Sequence, residues 1–434
     1  MIPPKPAARS GRVSLWRYAR LLRQDILSAL PERLYRARMA EFRTPFFRSV
    51  LLNEPELVAE VLKGRPQDFP KSGRVTRGLR RLLGDAVFVT NGPEWQYQRR
   101  LIDPAFEGGR VDQTFPAMLA AVEAAVGRLE AGEIEVEAWA SHLAADIIFR
   151  TLFSLPIEDA LARRTYAAFR AFQRAQPVLR LLPTRRGRRE ARELRAIIGE
   201  LVARRAAGIA AGEAPDDLAT RIMTARDPET GRGFSEAEMV DQVSIFFLAG
   251  HETSAAALSW ALYLLASHTD VQARAADEAV AVAAEPSLTA LRGAGYLRDV
   301  FRETLRLYPP VPMMVREAAQ PEQFRGRDLP KGLQVVISPW HLHRYGRIWP
   351  RPDSFEPERW QTAETRACAR QAYLPFSAGP RVCPGAGFAM IEGTLARAVT
   401  LGNRRLEPGG PPPVPIAFLT VRSKNGIKLD LSKR

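Results

Sequence analysis

Two cysteines in 434 residues are too few for most of what cysteine does in proteins. Cys368 and Cys383 cannot build a disulfide framework, which points to a reducing compartment. Nor can they supply the four ligands of a structural zinc or an iron–sulfur cluster. His142, His251 and His268 have no partner at metal-ligand spacing and read as incidental. Long hydrophobic runs are missing as well. The N-terminus, MIPPKPAARSGRVSLWRYARLLRQDIL, is basic with no uninterrupted apolar stretch, so neither a signal peptide nor a transmembrane anchor is expected. There is no GxGxxG after a strand and no phosphate loop, so the chain carries no reductase of its own. Repeats, low-complexity tracts and Pro/Gly/Ser linkers are absent too, and residues 1–434 read as a single domain.

Acidic residues are in deficit, 48 against 63 Lys and Arg, for a net charge of +15. A nucleic-acid groove needs its cations on one face. Here the arginines run the length of the chain among alanines, which argues against nucleic acid and for an acidic protein partner. Near the start, Val13, Trp16, Leu21 and Leu22 fit one face of a short amphipathic helix, expected to pack on the protein rather than to touch a membrane surface. A cytoplasmic monomer is the expectation.

What is present is mostly helical. Apolar residues recur at helical spacing from Leu51 to Lys63, and residues 112–211 read as several amphipathic helices. Within them, TRRGRREARELR (184–195) reads as a solvated helix face. A long apolar helix is expected between Ser235 and His268, and another over 288–308, stopped by Pro309 and Pro310. AVFVT (86–90) reads as a strand, and VPMMVREA with LPKGLQVVIS as a small sheet. The fold class is therefore mainly α, a large multihelical domain with minor β portions near 45–90, 311–340 and 414–432.

The one stretch that asks for chemistry is FSAGPRVCPGAGF, Phe376 to Phe388. It places Cys383 among Gly379, Gly385 and Gly387, which let a large flat group approach the backbone. Arg381, backbone N–H groups and a helix with Pro384 at its first position would all favour a thiolate. A nucleophile would need a base, and no histidine is near. Axial ligation of a haem iron fits better, because it needs one protein ligand and an open opposite face. A glycine-rich turn around a buried thiol is the plain alternative.

A second stretch is AGHET, Ala249 to Thr253, in the middle of the long apolar helix. A Glu–Thr pair there is costly unless it serves something. Thr253 can bond the Ala249 carbonyl and locally open the helix, while Ala249 and Gly250 leave space for a diatomic molecule. FRETLR sets Glu303 and Arg306 on one helix face, with Arg359 following in FEPERW. WQYQRR sets Trp95 and Arg99 one turn apart.

Phe376, Gly379, Arg381, Cys383 and Gly385 reproduce the FxxGxRxCxG signature, and the chain thereby resembles the cytochrome P-450 superfamily of haem-thiolate monooxygenases, of the bacterial soluble type. The resemblance implies haem b with Cys383 as axial iron ligand. It implies that Glu252 and Thr253 guide protons to the oxygen being activated, beside Ala249 and Gly250. It implies a structural triad of Glu303, Arg306 and Arg359 behind the haem. Trp95, Arg99, Arg316 and Arg381 would serve the haem propionates, as would His343, with His341 a rival on the same strand face. The reaction implied is insertion of one atom of O2 into a hydrophobic small molecule, with NAD(P)H-derived electrons from a ferredoxin or flavodoxin and its reductase. Arg99, Arg100, Arg366 and Arg370 are the candidates for docking that partner. The substrate pocket would take in Phe246, Phe247, Val311, Met313 and Phe418, and Arg74, Arg77, Arg80 or Arg81 could hold a substrate carboxylate. The rival readings are a peroxide-using peroxygenase and a haem sensor or carrier, and the Glu252–Thr253 pair argues against both.

Overall fold

A computed structural model describes residues 2–11, 13–43, 48–107, 109–175 and 185–434. Thr184 of the charge run and residues 45–47 of the first β portion lie outside the described residues.

The frame is set by a 32-residue central helix, Glu236–Ser267. Its start is fixed by a capping box in which Ser235 and Glu238 each bond the other's backbone N–H. Its end is closed by His268, whose Nδ1 bonds the Leu264 carbonyl at 2.8 Å. The stretch is apolar nearly all round because it is covered nearly all round. The Val136–Phe153 helix packs along one side and the Ala386–Asn403 helix along another. Trp260, fully buried, stacks on Tyr308 at 4.0 Å and donates its indole N–H to the Val421 carbonyl. One such ring removes about 200 Å² from water, roughly 5 kcal/mol as an upper figure.

A four-stranded sheet lies to one side, in the order Met39–Arg43, Arg48–Leu52, Gln334–Ile337, Met314–Glu317. Its one parallel pairing sets Val50 against Val335, both buried. A second sheet joins Gly132–Glu135, Lys428–Lys433 and Arg404–Pro408. A hairpin of Pro415–Ala417 and Val421–Ser423 carries Phe418 to Thr420 on its turn. It is tied to the N-terminal segment by the buried carboxylate of Asp25, which accepts the Ala417 N–H at 2.6 Å, and by the Ile26 N–H, which donates to the Ala417 carbonyl at 3.0 Å.

Four local expectations need correction. AVFVT is a turn, not a strand: Val89 N–H bonds the Ala86 carbonyl, and the Val87 N–H goes to the Gln242 side chain, so no ladder forms despite the β-branched residues. Of the helical spacing from Leu51 to Lys63, Leu51 and Leu52 end a strand and the helix begins only at Pro55. His341 and His343 lie on and just after a short helix, Pro339–Leu342, rather than on a strand. The Leu15–Gln24 helix contains no buried residue, and Trp16 is 77% exposed. Among the described residues no helix is long and apolar enough to cross a membrane.

Candidate active site

The Cys383 loop is closed by its own backbone. The Cys383 N–H donates to the Phe376 carbonyl at 2.9 Å, and the Phe376 ring packs toward Phe301 and Leu305. Gly379 sits at φ +71°, and a Cβ there would run into the Leu62 carbonyl oxygen. That glycine is therefore demanded by the fold itself, not by a ligand. Gly387 is different, with nothing within 4 Å of where a Cβ would stand. A Cβ on Gly385 would lie 3.9 Å from Cys383 Sγ. Pro384 is not the first helical residue: the helix starts at Ala386 with Gly385 as its cap. Cys383 has accessible surface even though protein surrounds it densely, because its opening faces inward. That crowding pushes the thiol pKa up, against the Gly385 N–H and the Arg99 charge, which pull it down. The loop's cationic surroundings thus do not by themselves hold the sulfur as a thiolate.

Beside the loop lies an unusual concentration of positive charge. Trp95, 7% exposed, has the Arg381 guanidinium 5.1 Å from its ring centroid, with Arg99 and Lys71 each at 5.8 Å. Arg316, also buried, is backbone-bridged to Lys71. Burial, then repulsion from Arg381, Arg316 and Arg99, drives the Lys71 pKa down to about 6. Burial, then Arg381, lowers Arg316 to about 10. Of the four cations, Arg99 alone has a carboxylate partner among the described residues, Asp103 at 2.7 Å. Arg381 donates to the Pro66 carbonyl at 2.7 Å, and its Nε is buried without a partner. Such a group of buried like charges is costly unless an anion sits among them. Lys71 was not singled out from the sequence. Its signal is spatial, since it meets Arg316 across 245 residues of chain.

On the central helix, Ala249 is exposed in mid-helix and Thr253 is half-buried, so this face also opens inward. Thr253 Oγ1 donates to the Ala249 carbonyl, yet the helix runs through this turn without a break. Gly250 does not leave space: a Cβ there would stand 2.7 Å from Ile148 Cδ1, so its smallness serves helix packing. His251 is not idle either. Its Nε2 is 2.8 Å from Ser141 Oγ, which also meets Arg170 and Tyr166, locking the helix's rotation against its neighbour. Glu252 accepts from Gln173 and Thr420, and burial raises its pKa. It reaches a cavity of about 640 Å³. One further carboxyl escaped the sequence reading: Glu392, pushed up to about 8 by burial, accepts from Ser254 Oγ at 2.6 Å.

Glu303, Arg306 and Arg359 come together in the interior. Arg306 makes a two-pronged contact with Glu303 at 2.8 and 2.9 Å, and its remaining N–H groups reach the carbonyls of His343, Pro352 and Ser354. Arg359 Nε is 2.9 Å from Glu303, which also accepts the Trp360 indole N–H and the Glu356 N–H. His343 belongs to this network rather than to the cation group. Its Nε2 accepts the Leu374 N–H at 2.8 Å, so Nδ1 must carry the proton given to the Arg306 carbonyl at 3.2 Å. Both nitrogens being engaged, His343 cannot hold a propionate. His341 is bonded to Ser338 and buried against Tyr35, so it is no substitute.

Of the expected pocket residues, Phe418 lines the cavity. Phe247 is core, 4.7 Å from Phe149, and Phe246 packs toward Phe106. Val311 and Met313 are half-buried and do not line this cavity. Among the docking candidates, Arg99 and Arg100 are engaged by Asp103 and Asp227, whereas Arg366 and Arg370 stand exposed on the Ala363–Ala372 helix.

The cytochrome P-450 family model matches residues 39–430, and the chain belongs to that family. Its relatives include cyclooctat-9-en-7-ol 5-monooxygenase of Streptomyces melanosporofaciens, 33% identical over 91% of this chain and 87% of that one. Cyclooctatin synthase of the same organism is 33% identical over 82% of this chain and 80% of its own length. Pentalenene oxygenase of Streptomyces avermitilis is 31% identical over 88% and 87%. The protein is a haem-dependent monooxygenase that places one oxygen atom of O2 into a hydrophobic small molecule, using haem b and NAD(P)H-derived electrons received through redox partners. The unpaired buried cations fit the two propionates of that haem, and the inward-opening thiol fits its iron.

Proposed function

We propose that Cys383 is the axial iron ligand and that Lys71, Arg99, Arg316 and Arg381, gathered around Trp95, hold the propionates. The observation that carries this reading is that Lys71, Arg316 and Arg381 have no counter-ion among the described residues, beside an inward-opening cysteine. Haem supplies the activation of O2; the chain supplies ligand, position and protons. Cys383 would hold the haem iron through its sulfur, and a thiolate ligand would supply the electron density that favours O–O cleavage. One oxygen atom enters the substrate and the other leaves as water, so two protons must be delivered, and Thr253 and Glu252 are the residues placed to move them. Thr253 holds the last proton donor at its hydroxyl, and Glu252, its pKa raised by burial, passes protons inward from the cavity. Glu303, Arg306 and Arg359 act by position: Arg306 holds the His343 carbonyl, and the His343 ring holds the Leu374 N–H at the root of the loop.

The electron donor is a ferredoxin or flavodoxin with its own reductase, an acidic protein drawn to exposed cations such as Arg366 and Arg370. The chain works as a cytoplasmic, monomeric, single-domain protein. Two relatives are named for an alcohol and a hydrocarbon, which favours a largely apolar substrate body here too. The test is the absorption spectrum of the reduced protein with carbon monoxide. Wild type shows the red-shifted Soret band of a thiolate complex and Cys383→Ser loses it; an ordinary haem–CO band in folded wild type would overturn the reading.

A further inference from the structure

The cavity beside Glu252 has a lining that the proposed chemistry does not use. Arg81 enters it from the Gly73–Leu83 helix, Arg185, Arg188 and Arg192 from the Arg185–Ala211 helix, and Arg422 from the hairpin. None of the five has an ion-pair partner among the described residues. Two close neighbours are paired. Arg80 meets Asp85 at 3.0 Å, and Arg195 meets Asp241 at 2.6 Å while donating to the Leu82 carbonyl. The cavity's one carboxyl is Glu252, already bonded by Gln173 and Thr420. Residues 176–184, which precede Arg185, contain no Asp or Glu.

Apart from Glu252, Gln173 and Thr420, the rest of the lining is largely apolar. Leu79, Leu82, Phe172, Leu248 and Phe418 form it, and Leu248 stands one turn before Glu252 on the central helix. The five arginines are exposed side chains on a concave site with an apolar wall, and their summed positive charge draws anions to it. Arg188 and Arg192 are one turn apart on the same helix face, a spacing at which two guanidinium groups converge on one anion.

We propose that this cavity selects substrates that are amphipathic acids, an apolar body lying along the leucine and phenylalanine wall with its anionic head held by Arg188 and Arg192, supported by Arg81 and Arg422. The proposal rests on the reading of Glu252 and Thr253 as the oxygen-activating side. It departs from the alcohol and hydrocarbon in the relatives' names.

The experiment compares dodecanoic acid with dodecan-1-ol, of equal chain length, on the haem-loaded protein at low ionic strength. Binding is read both by the haem spectrum and by calorimetry. Wild type is expected to bind the acid at least about tenfold more tightly than the alcohol. In the Arg188→Gln/Arg192→Gln variant that ratio falls to about two or less, while alcohol affinity stays as in wild type. Arg80→Gln, next to the cavity but paired outward, keeps the wild-type ratio. Equal affinities in wild type, or a preference that survives the double substitution, overturns the proposal. So does tight binding of a dodecanoyl group carried on an acidic carrier protein with no gain for the free acid, since the arginines would then be docking a protein. The carbon monoxide spectrum of the same samples separates this failure from that of the wider reading: a thiolate band with no acid preference removes the inference alone.

Discussion

At the scale of single residues, the glycines of the cysteine loop make different demands. Gly379 carries both a left-handed φ and a backbone oxygen where its Cβ would go. Gly379→Ala is expected to cost roughly 3 kcal/mol or more, adding strain to overlap, with haem retention falling in step. Gly387→Ala, with open space around it, should change the stability of the haem-free protein by less than about 1 kcal/mol. Urea unfolding of both variants checks the contrast. Glu392 offers a pH test. Its ordinary value is 4.5 and burial raises it to about 8, so between these pH values the folded chain keeps a proton that the unfolded chain has lost. Its contribution to stability therefore falls as pH rises from 4.5 to 8. Glu392→Gln removes that slope, so its melting temperature relative to wild type should climb across the window. Cys383 was conspicuous in the sequence because glycines and an arginine surround it. Lys71 and Glu392 were not, because what marks them is missing or distant company: no anion near one, and a serine 138 residues away for the other.

At the scale of elements, the helices were the legible part. The central helix was readable almost to its caps, since Ser235 and Glu238 announce a start within four residues and His268 follows the last apolar run. AVFVT was misread because strand character needs a neighbouring strand, and here the Gln242 side chain takes its backbone instead. The pairing of Glu303 with Arg306 could be expected from spacing, but the engagement of His343 by Leu374 could not, since it depends on where a later loop returns. This network joins the Gly295–Leu307 helix to the Pro339–Leu342 and 357–361 turns, so losing its shared acid should be felt in all three. Glu303→Ala leaves the buried Arg306 guanidinium without its carboxylate and Arg359 with only Glu356 at 3.2 Å, and should cost about 3–5 kcal/mol. A denaturant midpoint within error of wild type would show that the network does not hold these elements together.

At the scale of the whole molecule, the proposed place of the haem among the four cations would make it a folding partner as well as a cofactor. Lys71 is ordinarily protonated up to 10.5 but here only to about 6, so across that range the unfolded chain binds a proton that the folded one does not. The stability of the haem-free protein should accordingly rise with pH from 6 to 10.5. Lys71→Met should flatten that rise and raise the melting temperature of the haem-free form, while weakening haem binding several-fold. Calorimetry of haem-free and haem-loaded protein checks both halves. If the haem-free form gains nothing, the repulsion among the four cations is already relieved by other means.

The bonds from Asp25 and Ile26 to Ala417 make the first part of the chain a buttress for the hairpin that carries Phe418, Thr420 and Arg422 to the cavity. A residue far from the haem in sequence thus sets the position of the cavity's wall. Trimming the N-terminus past Asp25, or straining it with a bulky tag, would loosen that wall without touching the haem. An enzyme altered in this way would keep its spectrum and lose its selectivity, a failure easily mistaken for a broad natural substrate range.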